Sequence, residues 1–325
     1  MTECTVGIDI GGTNTKVGMV DRNGKLYHHT NILTATFEES DDFFHAMANA
    51  VREAIHFLPK EARMVGIGVG AANGNYYKGT IERATNLKWK GILPLARLFK
   101  DEFGVPCILT NDANAAAVGE MIYGHAKNMK DFIVITLGTG LGSGIVCGGL
   151  LLNGHHGIAG ELGHTSVNPN GRYCNCGKRG CLETYASATG IKRTVYKLIA
   201  DHLEPSELRG ISFEDLNTKM ISEAAHRGDI VAKEAFEYTG RILGMKLADT
   251  VVHTDPEAIF LFGGLAQAGE LIFNPTLYHM EQNLMPLFRG KVKLLPSALE
   301  NQAAGILGAS SLVWDFLEKQ KVHVA

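Results

Sequence analysis

The chain has 325 residues, of which 45% are hydrophobic and 20% charged, and its formal net charge is -3. This composition is typical of a globular protein in water, and it argues against a partner such as nucleic acid or an anionic membrane surface. The length exceeds one small core and predicts two domains or one large α/β unit that acts on a small molecule.

The first third of the chain predicts alternating strands and helices. Three β-rich runs at 4–10, 16–20 and 25–31, separated by Gly-containing turns, predict an antiparallel meander. Periodicity and composition then predict the following elements: a helix over 38–58, a strand over 64–70, a helix over 93–103, a strand over 105–109 and a helix over 113–122. Asp112 stands where the last of these helices needs an N-cap.

The rest of the chain repeats the opening pattern, which implies two similar halves. The elements predicted there are a strand over 131–137, a Gly-rich turn over 138–144, a strand over 145–147, helices over 186–202, 213–227 and 230–254, a strand over 258–262 and a final helix over 303–317.

A short segment between Glu161 and Glu183 concentrates metal-ligand residue types. It holds His164, Cys174, Cys176 and Cys181, and four such ligands form a closed tetrahedral set that is typical of structural zinc. The alternative is a disulfide, which requires an oxidising compartment. We favour zinc in a cytoplasmic protein, because the N-terminus lacks a signal-peptide pattern and no segment has the length of a membrane span.

The two acidic residues on either side of these ligands support a second prediction, which concerns ligand binding. Folding the loop around a metal would bring Glu161, Glu183 and the His164 imidazole into one small volume. Carboxylates and an imidazole together suit a surface that binds a polyhydroxyl compound.

Three Gly-rich turns follow predicted strands, and they point to phosphate binding. They are D-I-G-G-T-N-T-K at Asp9–Lys16, L-G-T-G-L-G-S-G at 137–144 and F-G-G-L at 262–265. Glycine lets main-chain N–H groups approach phosphate oxygens, and Thr adds a hydroxyl donor. None has P-loop spacing, and any one alone would read as a hairpin turn. Three at strand ends favour a polyphosphate clamped between two domains.

Two acids stand beside these turns. Asp112 ends a strand and begins a helix, so it is either an N-cap or a general base at the carboxyl edge of a sheet. Asn111 beside it favours the base, because the amide can bind a hydroxyl whose proton the carboxylate accepts. Asp9, next to phosphate-binding glycines, suits a magnesium ion.

The motifs together resemble the ROK family of sugar kinases, which includes bacterial glucokinases, fructokinases and N-acetylhexosamine kinases. The segments that carry the resemblance are D-I-G-G-T-N-T-K, N-D-A-N-A-A-A, L-G-T-G-L-G-S-G-I, G-E-L-G-H and C-N-C-G-K-R-G-C-L-E. The resemblance implies an α/β protein with the actin-like ATPase (ribonuclease H-like) fold, in which two similar domains enclose a cleft. The expected domains are 1–118, with a C-terminal helix at about 303–325 returning to it, and 119–302, with a zinc loop at 164–181.

The resemblance also implies roles for individual residues. Asp112 would be the catalytic base, and zinc would bind the four ligands named above. The sugar would contact Asn111, Asp112, Glu161, His164 and Glu183. The ATP site would comprise Asp9, Gly11, Gly12, Thr13, Lys16, Gly138, Thr139, Gly140, Gly263 and Gly264.

The chain departs from the family pattern in one loop that would line the sugar pocket. Where many members have Pro-Gly, this chain reads G-V-G-A-A-N-G-N at 68–75. Asn73 would bind a sugar hydroxyl or make the turn, and both interpretations stay open.

The implied activity is an ATP-dependent hexose kinase with Mg²⁺, acting on the 6-hydroxyl of glucose, and a homodimer or homotetramer is expected. N-acetylglucosamine, N-acetylmannosamine or fructose are alternative substrates. A sugar-sensing regulator is the non-enzyme alternative, although family repressors carry an N-terminal helix-turn-helix and the first strand here begins near Met1. A catalytically silent sugar-binding protein is disfavoured by Asp112 and the phosphate loops.

Overall fold

A computed structural model describes the backbone of residues 1–84, 87–299 and 303–324 and the side chains up to residue 321. The first half contains β1 (Thr2–Ile10), β2 (Thr15–Asp21), β3 (Leu26–Ile32), α1 (Ser40–His56), β4 (Ala62–Ala71), β5 (Gly74–Asn75), β6 (Thr80–Glu82), β7 (Ile92–Leu93), α2 (Leu95–Phe103), β8 (Cys107–Thr110) and α3 (Asp112–Ile122). The second half contains β9 (Phe132–Leu137), β10 (Leu141–Cys147), β11 (Leu150–Leu151), α4 (Ala188–Asp201), α5 (Thr218–Arg227), α6 (Ile230–Thr254), β12 (Ala258–Phe262), α7 (Glu270–Asn283), β13 (Lys293–Pro296) and α8 (Ala304–Val324).

Two five-stranded sheets share one plan. Their strand orders are β3-β2-β1-β4-β8 and β11-β10-β9-β12-β13. In each, an antiparallel meander joins two parallel strands: β1 pairs antiparallel with β2 and parallel with β4, and β9 pairs antiparallel with β10 and parallel with β12. The central strands are continuous apolar runs because helices cover both faces. The predicted repetition of the two halves is confirmed.

The C-terminal helix α8 packs against the first sheet, as the family resemblance implies. Two strand glycines permit this contact. A Cβ atom at Gly7 would lie 2.0 Å from the Ile306 carbonyl oxygen, and one at Gly68 would lie 1.8 Å from the Ala309 carbonyl oxygen. The backbones of β1 and β4 therefore contact the backbone of α8 directly, and no residue larger than glycine fits at Gly7 or Gly68. Ala325, the end of the predicted helical segment, lies outside the described residues.

Helix α3 lies between α8 and the second sheet. A Cβ atom at Gly119 would lie 2.8 Å from the Gly308 Cα atom, and one at Gly144 would lie 2.6 Å from the Ala113 carbonyl oxygen. The helix is alanine-rich and almost wholly buried. Its close contacts on both sides hold its first residue, Asp112, in a fixed position between the two sheets.

The structure corrects the predicted N-cap of α3. Asn111, not Asp112, is the capping residue, and its Oδ1 atom accepts the Asn114 N–H at 2.6 Å. Asn111 has the extended backbone that a cap requires, whereas Asp112 is already helical and its Oδ1 atom accepts the N–H of the next residue, Ala113, at 2.9 Å. The Asp112 carboxylate is therefore not committed to capping.

Two further predicted elements have clearly different starts in the structure, and one helix of the structure was not predicted. The turn predicted over 138–144 is shorter, because β10 begins at Leu141. The helix predicted over 213–227 begins only at Thr218, because the Asn217 side chain caps it by accepting the Met220 N–H. Helix α7 was not predicted at all, since it contains Pro275. That proline packs on Gly240 of α6, where a Cβ atom would lie 2.7 Å from its ring, so tertiary packing sustains the helix.

Within the described part of the chain, no helix is both long enough and apolar enough to cross a bilayer.

Candidate functional site

A cavity of about 790 Å³ lies where strands of both sheets end. β1, β8, β9 and β12 each deliver a loop or helix start to it, which is the usual position of a ligand site in an α/β protein. The predicted site residues that line it are Asp9, Lys16, Asn73, Asn111, Asp112, Gly138, Thr139, Gly140, Glu161, His164, Cys174, Cys176, Glu183 and Gly263. Gly11, Gly12, Thr13, Cys181 and Gly264 do not line it.

Asp112 lines this cavity at the start of α3. The side chain is exposed, and desolvation by the surrounding protein raises the pKa of the carboxyl above its ordinary value of 3.8. The hydrogen bond from the Ala113 N–H opposes this effect. A carboxylate with a raised pKa is a better proton acceptor, which is the property that a general base needs.

Asp9 ends β1 and stands opposite Lys16 in the register of the first hairpin. Burial, followed by the negative charge of Asp112, raises its pKa from 3.8 to about 6, while Lys16 acts in the opposite direction. The carboxylate packs tightly on α8, because a Cβ atom at Gly305 would lie 2.0 Å from Asp9 Oδ2. A buried anion next to a second anion is a natural neighbour for a metal cation.

Four side chains from three segments of the chain form the polar floor of the cavity: Asn111, Glu161, His164 and Glu183. The His164 Nε2 atom lies 3.9 Å from Glu161 Oε2. Burial raises the pKa of Glu161, the nearby imidazole lowers it, the charges of Asp112 and Glu183 raise it, and a hydrogen bond from Asn111 lowers it. The floor therefore combines fixed donors and acceptors, as a polyhydroxyl ligand requires.

Glu183 connects the polar floor to the glycine turn of the second sheet. Its Oε2 atom accepts the Leu141 N–H at 3.1 Å. A Cβ atom at Gly140 would lie 2.2 Å from the same oxygen. Gly140 is thus required for the position of the Glu183 carboxylate as well as for the turn.

The predicted metal ligands cluster beside this floor. One ligand atom from each of His164, Cys174, Cys176 and Cys181 lies within 4.8 Å of the others. His164 turns its Nδ1 atom to Cys174 Sγ at 3.6 Å, and the Cys176 and Cys181 sulfurs are also 3.6 Å apart. Three thiols and one imidazole nitrogen at these separations fit a tetrahedral Zn²⁺ ion.

The metal cluster and the floor share two residues. His164 directs Nδ1 to the sulfurs and leaves Nε2 on the side of Glu161. The Cys174 thiol donates to Glu183 Oε1 at 3.4 Å. A metal held here would therefore fix the orientation of both floor residues.

Two of the predicted glycine turns lie against each other at the cavity. Gly263 has a φ of 104° and its Cβ position is 2.8 Å from the Leu137 carbonyl oxygen, so only glycine is compatible with it. The Ala188 N–H, at the start of α4, donates to the Gly138 carbonyl at 2.8 Å. The turn at 138–140 thus stands at the N-terminal end of a helix, a favourable place for an anion.

The remaining turn, at 11–13, lies at the tip of the first hairpin, where Thr13 is exposed. A Cβ atom at Gly11 would lie 2.8 Å from the Asn14 carbonyl oxygen, so glycine is needed for the turn itself.

Asn73 makes the turn of its loop. It has a φ of 58°, and its amide nitrogen donates to the carbonyls of Glu82 and Arg83 at 3.1 and 3.3 Å. Both amide hydrogens are used, so only the Oδ1 atom can contact a ligand in the cavity.

Sequence reasoning missed several residues that line the cavity, among them Tyr173, Ser187, Thr189 and Arg193. Ser187 is a recognisable N-cap, since its hydroxyl accepts the Gly190 N–H at 3.0 Å. The S-A-T-G segment could have indicated a helix start there. Nothing in the local sequence points to Arg193.

Comparison with known proteins agrees with this geometry. The model of the ROK family matches residues 5–315. The chain belongs to the ROK family. It is 35% identical over 314 residues to the glucokinase of Halalkalibacterium halodurans, covering 95% of this chain and 94% of that protein.

Two solved ROK structures are also similar. A glucokinase from Streptomyces griseus in complex with glucose and AMPPNP superposes with a TM-score of 0.79 at 33% identity, covering 95% of this chain and 98% of that one. A ROK family transcriptional regulator, a homologue of the E. coli MLC protein, has a TM-score of 0.85 at 25% identity, covering 97% of this chain and 78% of that one.

Proposed function

We propose that this protein is an ATP-dependent hexose kinase that phosphorylates the 6-hydroxyl of glucose. The observation that carries the proposal is the position of Asp112. Its carboxylate lies in one cavity with the polar floor and with the glycine turn at 138–140. Glucokinase relatives at 35% identity and a glucokinase structure with glucose and AMPPNP support the same activity.

The sugar binds on the polar floor in this proposal. The carboxylates of Glu161 and Glu183 accept hydroxyl hydrogens, the Asn111 amide can donate, and the His164 Nε2 atom faces Glu161. The Oδ1 atom of Asn73 adds one further acceptor. Glucose presents hydroxyls around the whole ring, so a floor with acceptors on several elements suits it.

Asp112 then acts as the general base. Its raised pKa favours acceptance of the hydroxyl proton as the sugar oxygen attacks the γ-phosphorus. The position of the carboxylate is fixed because α3 is packed on both sides. Phosphoryl transfer depends mainly on positioning and on neutralising charge, so this rigidity contributes directly to the rate.

The donor phosphates bind between the two sheets. In the proposal the N–H groups at 138–140, the Thr139 hydroxyl, Lys16 and the loop at 11–13 face the phosphates, and Gly263 and Gly264 border the adenosine. Asp9 would hold Mg²⁺ directly or through water, since it is an oxygen ligand whose buried negative charge a cation would stabilise. A magnesium ion so held would neutralise charge on the phosphoryl oxygens.

The zinc ion would be structural. His164, Cys174, Cys176 and Cys181 supply the complete ligand set, which leaves no open position for substrate. Bound zinc would fix the loop that carries His164 and that contacts Glu183. The sugar affinity therefore depends on zinc although no chemistry occurs at it.

In the proposal, residues 1–118 with α8 form one domain and residues 119–302 form the other. The two domains close over the bound substrates, and this closure excludes water from the γ-phosphate.

We also propose a cytoplasmic homodimer or homotetramer without a nucleic-acid or membrane partner. Zinc-bound thiolates suit a reducing compartment. Light scattering of the purified chain measures the assembly state.

Other sugars remain candidate substrates because the floor residues do not distinguish one hexose from another by charge. N-acetylglucosamine, N-acetylmannosamine and fructose are the alternatives. The non-enzyme alternative is a sugar-sensing regulator. It is supported by the structural similarity to a ROK family transcriptional regulator, of which this chain covers 78%.

The experiment that tests the proposal is a coupled ADP-release assay on zinc-loaded protein with MgATP. Glucose, N-acetylglucosamine, N-acetylmannosamine, mannose and fructose are compared at equal concentration. We expect glucose to give the highest kcat/KM. A higher value for another sugar would reassign the substrate, and no ADP release with any of them would reject the kinase in favour of a binding or regulatory role.

A further inference from the structure

The second turn of α4 carries a cation that lines the cavity and has no acidic partner among the described residues. Arg193 lines the cavity together with Thr189, four residues earlier on the same face of the helix. In the described part of the chain, neither Arg193 nor the neighbouring Arg172 forms an ion pair with a carboxylate. A half-buried guanidinium without a counter-ion is a favourable partner for an anionic ligand.

The surroundings of Arg193 strengthen this argument. Arg172 is occupied by protein groups, because its guanidinium donates to the Thr184 carbonyl at 2.7 Å and the Gly190 carbonyl at 3.0 Å. Arg193, and not Arg172, is therefore the guanidinium of this pair that lines the cavity.

The position of α4 also shows at which end of the cavity Arg193 lies. α4 begins at the turn at 138–140, where the Ala188 N–H donates to Gly138. The cavity-lining residues of its first two turns are Ser187, Thr189 and Arg193. This face is continuous with the proposed phosphate turn. The phosphates of the phosphoryl donor, a nucleoside triphosphate, would be the anion that Arg193 binds.

We propose that Arg193 binds the phosphate groups of the phosphoryl donor and so contributes to donor affinity. Its planar guanidinium can offer two parallel N–H donors to a phosphate together with a positive charge, which the neutral main-chain donors at 138–140 lack. The inference rests on the proposed kinase function, because it takes the donor to be MgATP.

A second role for the same side chain is purely structural. Arg193 Nη1 donates to the Tyr173 carbonyl at 3.2 Å, and Tyr173 precedes the zinc ligand Cys174. If Arg193 only supported the zinc loop, its loss would weaken zinc and sugar binding. If it binds phosphate, its loss would weaken donor binding. The two roles therefore predict changes in different constants.

The test compares Arg193→Gln with Lys192→Gln in zinc-loaded protein. Lys192 is adjacent on α4, but its ammonium group stacks over the Phe213 ring at 4.5 Å and does not line the cavity. For Arg193→Gln we expect the KM for MgATP to rise about 10- to 100-fold, the size of a lost charge-assisted hydrogen bond, with the KM for glucose and the zinc content unchanged. Lys192→Gln is expected to match the wild type.

Calorimetric binding of MgADP separates this inference from the kinase proposal. If the wild type binds MgADP but transfers no phosphate, the kinase proposal fails, and a loss of MgADP affinity in Arg193→Gln still supports the inference. Arg193→Lys keeps the charge and is expected to recover part of the affinity, which also guards against misfolding of the Gln variant. The inference is overturned if donor constants stay unchanged, or if only the glucose KM and the zinc content change.

Discussion

Replacement of Asp9 by Asn is expected to stabilise the protein at neutral pH while it impairs catalysis. Burial and the charge of Asp112 raise the pKa of Asp9 from 3.8 to about 6. The folded protein therefore binds this proton more tightly than the unfolded chain. The ionised carboxylate consequently destabilises the fold above pH 6, and this effect disappears as the pH falls below 3.8.

The magnitude follows from the same pKa values. A pKa raised from 3.8 to about 6 corresponds to about 3 kcal/mol of unfolding free energy at pH 7.5. Asn is neutral and nearly isosteric, so Asp9→Asn should increase the free energy of unfolding by up to about 3 kcal/mol at pH 7.5 and by roughly half of that at pH 5. The same variant should lose turnover, because the proposed magnesium residue is gone.

The assay is urea unfolding followed by tryptophan fluorescence, at both pH values and without nucleotide or added magnesium. Asp21→Asn is the matched control. Asp21 is buried in the same hairpin, but its Oδ1 atom accepts the N–H groups of Asn23 and Lys25 at 2.8 and 3.0 Å, and its Oδ2 atom accepts the Tyr27 hydroxyl at 3.2 Å. An Asn amide nitrogen cannot accept the Tyr27 hydroxyl, so the replacement should destabilise the protein. In an Asp112→Asn background, the gain from Asp9→Asn should be smaller, since Asp112 contributes to the raised pKa.

A loss of stability in Asp9→Asn at pH 7.5, or a gain of equal size at pH 5, would refute this reasoning. Either result would mean that the ionised carboxylate of Asp9 is not destabilising in the folded protein.

Three further predictions concern the sugar site and the catalytic base. Gly140→Ala places a Cβ atom 2.2 Å from Glu183 Oε2, so the carboxylate must move and the kcat/KM for glucose should fall about 10- to 100-fold; steady-state kinetics check this, and an unchanged value contradicts it. Because the displaced atom ends a flexible side chain, the melting temperature should change little. Removal of zinc by a chelator should abolish glucose binding and leave MgADP binding measurable by calorimetry; equal loss of both would show that zinc supports the whole fold. Because desolvation raises the pKa of Asp112 above its ordinary value of 3.8, the kcat/KM for glucose should fall on acidification before the pH reaches that value, and an acid limb at the ordinary aspartate value would contradict the proposed environment.

Much of the fold was accessible from the sequence because local patterns and motifs agree. The meander of the first sheet, its repetition in the second, helix α6 at Ile230–Thr254 and strand β12 at Ala258–Phe262 all have the predicted type. The metal cluster was also predictable, since ligand spacing within one short loop constrains which residues can meet.

The structural features that local sequence patterns did not predict depend on contacts between segments that are distant in the chain. The Pro275-containing helix α7 is sustained by Gly240, and the cap of α3 falls one residue earlier than expected. The packing of Asp9 on Gly305, and the placement of Arg193 in the cavity, arise only when α8 and α4 dock. Each involves residues far apart in sequence, where neither spacing nor propensity carries a signal.

The central claim is that Asp112 is the base of a glucose-phosphorylating enzyme. It is tested most directly by glucose binding and MgATP-dependent turnover of Asp112→Asn, measured side by side with the wild type. We expect glucose still to bind with an affinity close to the wild-type value, while kcat falls at least about 100-fold, as expected for a lost general base. Turnover at the wild-type rate in this variant would contradict the account.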